Sequence, residues 1–198
     1  NRASTKSCED CISKEINELV EKTFAMGKLI HRINSAVKRS EFESEWCQLP
    51  HIITEAINNT ATSKVDINHQ VHSDNVLKKN KIFIEGTLLI QVLSNLLTNA
   101  IDEINETKIN NPTIKITCQH QQGELAIQVL DNGRGIEEDQ LKSIFEPFYS
   151  TKKFGSGIGL SWVKTTIEMM GGSIYATSST KTPSNTQFNI TLPVRIEK

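Results

Sequence analysis

Asn95 and Asn99 stand four residues apart, so on a helix they share a face, and Asp102 and Glu103 continue close to it. Two carboxamides and a carboxylate on one helix offer hard oxygen ligands suited to Mg²⁺, although an exposed helix face carries such residues simply as solvated side chains. A second group is Asp131-Asn132-Gly133-Arg134-Gly135. A carboxylate at a strand end, facing a pocket, can accept a hydrogen bond from an exocyclic amine such as that of adenine. Its glycines allow sharp turning and close approach to a ligand; by itself the stretch also reads as a plain Asn-Gly turn. A third group is Gly155-Ser156-Gly157-Ile158-Gly159-Leu160, placed where a helix begins. Backbone N–H groups at a glycine-rich helix start form a phosphate cradle, reinforced by the helix dipole. Neither a βαβ context nor the Lys-Ser/Thr of a P-loop accompanies it.

These residues need elements to hold them. Leu88, Leu89, Val92, Leu93, Leu96, Leu97, Ala100 and Ile101 recur at helical spacing and predict a helix from Gly86 to Ile104. Thr113–Gln119 and Leu125–Leu130 alternate around Gln121-Gln122-Gly123-Glu124 and predict a hairpin. A second helix is predicted from about Gly157 to Met170, ending at Gly171-Gly172, with strands over Ser173–Ser178 and Gln187–Leu192. Pro50 suits the first turn of a helix reaching about Thr60, and Lys64–Val71 and Lys81–Ile84 read as short strands. After residue 50 the pattern is an α+β sandwich. Upstream, Ile12, Ile16, Leu19, Thr23, Met26, Ile30, Ile33 and Val37 alternate at spacings of four and three. That seam suits a coiled coil or antiparallel bundle, with a surface helix as the plainer reading. Two regions follow: a helical segment over 1–48 and a second domain over 49–198.

The chain has 198 residues and a net charge of -1, so no basic excess offers itself to nucleic acid or to an anionic membrane. Its 37% apolar and 23% charged residues describe a globular chain, and no apolar run approaches the roughly 18 residues of a membrane span. The first residue is Asn, which suggests a piece of something longer. Cys8, Cys11, Cys47 and Cys118 are too sparse for a disulfide framework and point to a reducing cytosol. Cys8 and Cys11 form one CxxC without a second pair of zinc ligands.

Taken in order, Asn95…Asn99, Asp131-x-Gly-x-Gly135, Phe145-Glu146-Pro147-Phe148-Tyr149-Ser150-Thr151-Lys152 and Gly155-x-Gly-x-Gly-Leu160 resemble the N, G1, F and G2 boxes of the catalytic ATP-binding domain of sensor histidine kinases. That domain belongs to the wider group that also holds gyrase B, Hsp90 and MutL. The resemblance covers residues 50 to 198 and implies a two-layer α/β sandwich of the Bergerat type. It implies that Asn99 holds the Mg²⁺ bridging the ATP phosphates, with Asn95 supporting metal and phosphates. Asp131 would read the adenine amine. Gly133, Gly135, Ile136 and Tyr149 would shape that pocket, and Gly155, Ser156, Gly157, Ile158, Gly159 and Leu160 would wrap the triphosphate. Lys152 would reach the γ-phosphate from a short lid over residues 150–156, and Thr186, with Phe188, matches a terminal Thr-x-Phe. Two positions depart from the pattern: Asn185 replaces the usual Gly before that Thr, and Asp102 replaces a basic residue three positions after the Mg²⁺ Asn.

By the same resemblance the heptad segment is the second helix of a dimerisation and phosphotransfer bundle. The activity implied is an ATP-dependent protein-histidine kinase core, cytoplasmic or the cytoplasmic part of a membrane-bound sensor. Its partners would be ATP or ADP, a phospho-accepting histidine helix upstream of Asn1, and a response regulator or receiver domain, within a homodimer. None of His31, His51, His69, His72 and His120 carries the acceptor pattern. The rival reading is a hydrolytic ATPase of the gyrase/Hsp90/MutL kind. Those enzymes resemble one another in a Glu four residues before the Mg²⁺ Asn; here Asn95 stands there, and a carboxamide is no base. A non-catalytic nucleotide-binding module is the third reading.

Overall fold

The computed structural model describes residues 43–60, 67–107, 109–152, 157–181 and 183–197. The heptad segment 12–37, Cys8, Cys11, His31, Gly155 and Ser156 lie outside the described residues. A compact unit begins at Glu43. It starts upstream of residue 49 because strand β1 (Glu45–Cys47) pairs antiparallel with β3 (Ile82–Ile84), which also pairs with β8 (Arg195–Ile196). This small sheet is pinned by side chains: the Trp46 and Phe83 rings lie 5.3 Å apart, and the Arg195 guanidinium sits 4.2 Å over Phe83.

The main sheet is five-stranded, in the order β2 (Asn68–Ser73), β4 (Thr113–Gln121), β5 (Glu124–Asp131), β7 (Asn185–Pro193), β6 (Ser173–Ser179). β2 runs parallel to β4, and the other neighbours are antiparallel. Its register follows from alternation. Ile116 lies opposite Val129 and Cys118 opposite Ile127, while Val129 and Ile127 meet Phe188 and Ile190 on β7. All of these are buried, so one sheet face is apolar throughout; a slip of one residue would turn it to water.

Helices cover that face. α1 (Leu49–Asn58), with Pro50 in its first turn, buries Leu49, Ile52, Ile53 and Ala56. α3 (Gly86–Thr107) buries Leu88, Leu89, Val92, Leu93, Leu96, Leu97, Ala100, Ile101 and Ile104 along one stripe. α4 (Gly159–Met169) adds Val163 and Ile167. The result is the two-layer α+β sandwich that the sequence pattern predicts.

The differences lie at the ends of elements. α3 runs three residues past Ile104, and α4 begins at Gly159 rather than Gly157. Where the pattern places a strand over 64–71, β2 runs Asn68–Ser73. The pattern also misses α2 (Asn75–Lys79), five residues long. Asp74 explains both the end of β2 and the start of α2: its Oδ1 accepts the Leu77 N–H at 2.8 Å and its Oδ2 the His120 N–H at 2.6 Å.

Candidate functional site

α3, the end of β5, the loop after it and the start of α4 enclose a cleft of about 760 Å³. Asp131 ends β5 in its floor, 4% exposed, and Thr186 lies directly opposite on β7, equally buried. The Asp131 carboxylate accepts the Gly133 N–H at 2.8 Å. Burial pushes its pKa from 3.8 up to about 6; the Gly133 hydrogen bond works against this and the nearby Glu103 charge adds to it.

The α3 stripe that packs the core leaves Asn95, Asn99 and Glu103 on the cleft side, one helical repeat apart. Asn95 donates its Nδ2 to the Gln91 carbonyl at 3.1 Å. That anchor turns its Oδ1 toward the glycine-rich helix start, where a Cβ added at Gly159 would stand 3.3 Å away. Asn95 and Asn99 thus line the same cleft as the α4 N-terminus, and two neutral carboxamide oxygens are a donor set that fits a hard divalent cation carrying phosphate.

Gly157 has a left-handed φ of +64°, and its carbonyl accepts the Phe148 N–H at 2.8 Å. A Cβ there would fall 2.3 Å from the Phe148 carbonyl carbon, so only glycine permits this backbone contact. Phe148 itself has a φ of +68°, costly for an aromatic residue. The strained pair joins the Phe145–Lys152 stretch to the start of α4. Lys152 reaches into the cleft, its Nζ 2.8 Å from Asp102 Oδ2.

The loop after Asp131 is tied on both sides. Ile136 donates its N–H to Ser178 Oγ at 2.8 Å, and Ser184 Oγ donates to the Gly133 carbonyl at 2.7 Å. Ser178 Oγ in turn donates to the Asn185 carbonyl at 2.5 Å, so the residue standing in place of glycine contributes a backbone oxygen. On the α3 side, Arg134 Nε lies 2.7 Å from Glu103 Oε1, and its outer nitrogen 3.9 Å from Glu106.

Of the residues singled out from sequence, Asn95, Asn99, Asp131, Gly135, Ile136, Tyr149, Lys152, Gly157, Gly159, Leu160 and Thr186 line this one cleft. Gly133 sits behind Asp131 rather than in the lining, and Ile158 turns its carbonyl into the first turn of α4, accepting from Ser161 and Trp162. Sequence reasoning gave no site role to Arg134, Glu137, Gln140, Ile144 or Thr180, which also line it, and placed Glu103 close to the Asn95–Asn99 face without giving it a task. For Glu103 the signal was available: it continues the i, i+4 series of Asn95 and Asn99. Among the described residues no helix is long and apolar enough to cross a membrane.

A family model described as histidine kinase-, DNA gyrase B-, and HSP90-like ATPase matches residues 84–196. The sensor histidine kinase ZraS of Escherichia coli K12 is 38% identical over 110 residues, 56% of this chain and 22% of that protein. The C4-dicarboxylate transport sensor protein DctS of Rhodobacter capsulatus is 28% identical over 170 residues, 85% of this chain and 25% of that one. This chain therefore spans about a quarter of such relatives. Among solved structures, the catalytic domain of the histidine kinase ThkA has a TM-score of 0.60 at 27% identity, covering 76% of this chain and 95% of that one. The mycobacterial sensor histidine kinase MprB reaches 0.66 at 22% identity, covering 78% and 99%, a likeness of fold.

Proposed function

Because the chain belongs to the family of histidine kinase-, DNA gyrase B- and HSP90-like ATPases, we propose that it is the ATP-binding kinase core of a two-component sensor, presenting the γ-phosphate to a histidine on another segment. The observation that carries the reading is the convergence, in one cleft, of a buried carboxylate, two carboxamides on one helix face and a glycine-rich helix start.

Each part has a task in that reading. Asp131 accepts the exocyclic amine of adenine, with Thr186 beside it and Ile136, Leu160 and Phe188 offering apolar surface to the base. The backbone around Gly157 and Gly159 receives the phosphates at the positive end of α4. Asn99, supported by Asn95, would hold Mg²⁺, which supplies neutralisation of phosphate charge. Lys152 leaves Asp102 and pairs with the γ-phosphate, so the transferred group meets a cation only when it is present. Phosphoryl transfer asks the protein mainly for positioning and charge neutralisation. A water-activating carboxylate is missing where Asn95 stands, which favours transfer over hydrolysis. A response regulator, a homodimeric whole protein and a cytoplasmic location complete the proposal.

Calorimetry with ADP and ATP in the presence of Mg²⁺ tests the site, with low-micromolar to millimolar binding expected. Absence of binding for both nucleotides would overturn it. Turnover of ATP should be slow; a rate matching dedicated ATPases would favour the hydrolytic reading.

A further inference from the structure

We propose that Glu103 and Arg134 are positioning residues for base recognition: through this pair, α3 holds the loop that presents Asp131 and sets the discrimination between adenine and guanine. The inference rests on the nucleotide reading above and extends it to two residues to which the sequence reading gives no task.

The geometry is specific. Glu103 packs so tightly on the loop that a Cβ at Gly133 would lie 2.8 Å from Glu103 Cγ and 2.7 Å from Asp131 Oδ1. Gly133 therefore fills the gap between the two carboxylate side chains, and its N–H is the group that orients Asp131. Glu103 in turn pairs by charge with the next residue, its buried Oε1 2.7 Å from Arg134 Nε without an aligned hydrogen bond. With Ser178 of β6 and Ser184 just ahead of β7 holding the other side, the loop is tied at both edges. Releasing the α3 edge frees the Gly133 N–H and lets the Asp131 carboxyl turn.

The pair also sets the charge in this corner. The charged groups in the cleft around Asp131 are Glu103 and Asp102 from α3, Arg134 and Glu137 from the loop, and Lys152 from the segment after Tyr149; Glu106 lies at the outer end of the pair. β7 contributes the uncharged Thr186 and β4 the apolar Ile114. Burial raises the Asp131 pKa, with the Glu103 charge adding to it, and burial likewise raises that of Glu103, with Arg134 working against it.

Guanine carries a carbonyl oxygen where adenine carries its amine, and a fixed carboxylate repels it. A carboxyl free to turn or to take a proton accommodates both bases. The experiment uses the 198-residue chain and three variants, Glu103→Gln, Arg134→Ala and Arg134→Lys. In the nucleotide-free proteins, NMR-detected hydrogen exchange follows the Gly133 amide. Calorimetry then gives the ratio of ADP to GDP affinity. The expected result is a loosened loop in Glu103→Gln and in Arg134→Ala. Gly133 exchange should be at least fivefold faster in both, and largely restored in Arg134→Lys. The ADP:GDP ratio should fall at least fivefold in the first two. Unchanged Gly133 exchange in Glu103→Gln would overturn the proposal, even if Arg134→Ala fails to fold. Because the exchange readout needs no ligand, it decides this inference separately from the nucleotide reading, which fails if wild type binds neither nucleotide.

Discussion

Asp131 is buried with a backbone N–H as its close donor, and that has a thermodynamic signature. Its folded pKa of about 6 lies above the ordinary 3.8, so the folded chain binds more protons than the unfolded one between those values. Its contribution to stability is therefore greatest below about pH 4, declines as pH rises and is at its least favourable above about 6. The shift corresponds to at most about 3 kcal/mol. Asp131→Asn keeps the acceptor for Gly133 and removes the charge. Urea denaturation should show it more stable than wild type by roughly 1–3 kcal/mol at pH 7.5, with no gain near pH 4. The same variant should lose tenfold or more in ADP affinity, since a charge-assisted hydrogen bond contributes about 1.5–3 kcal/mol. Wild-type affinity should fall as pH drops through about 6. A variant that is neither more stable nor a weaker binder would remove Asp131 from the base site. Lys152 makes a second prediction at this scale. Held by Asp102 at 2.8 Å, it must exchange a carboxylate for a phosphate. Lys152→Ala should weaken ATP several-fold more than ADP, and Asp102→Asn should strengthen ATP. Equal losses for both nucleotides in Lys152→Ala would show that the lysine never meets the γ-phosphate.

At the scale of elements, what could be read from the sequence was what repeats. α3, β4, β5 and β7 carry enough periods of apolar alternation for each face to be assigned, and the register then follows. β1 and β8 have three and two residues and no period to detect, and the five residues of α2 depend on the Asp74 cap rather than on a pattern. The site divides the same way. Glycine clusters and the Asn95–Asn99 spacing mark it locally. Lys152–Asp102, fifty residues apart, and Arg134–Glu103 exist only once the loops pack on α3. The join between the Phe145–Lys152 stretch and α4, where Phe148 meets Gly157, is a shorter-range contact that likewise forms only on packing. Gly157→Ala would force a Cβ into the Phe148 backbone at a left-handed φ, costing about 1–3 kcal/mol. Because this join lies at the rim of the core, differential scanning calorimetry should register a fall of only several degrees. Nucleotide affinity should drop by more than tenfold. Intact ADP binding in this variant would show that the strained join does not position the phosphate site.

For the molecule as a whole, the question is whether an ATP site and an acceptor histidine coexist in this chain. None of the histidines in the described residues lines the cleft. His51 lies exposed on α1 with its Nδ1 3.7 Å from Glu55, and β2 and β4 carry the other three. β2 and β4 lie in the sheet that packs under the helices, away from the cleft lining. A positioned acceptor supplies much of the rate of a transfer, and a histidine held on another part of the same compact unit is not positioned for the γ-phosphate. The chain alone should therefore bind Mg-ATP without acquiring acid-labile, base-stable label from γ-labelled ATP. A chain in which a helix carrying an acceptor histidine is fused ahead of residue 1 should acquire it, at the added histidine. Label on the 198-residue chain, abolished by His51→Gln or His31→Gln, would place the acceptor within these residues and change the proposed division of labour.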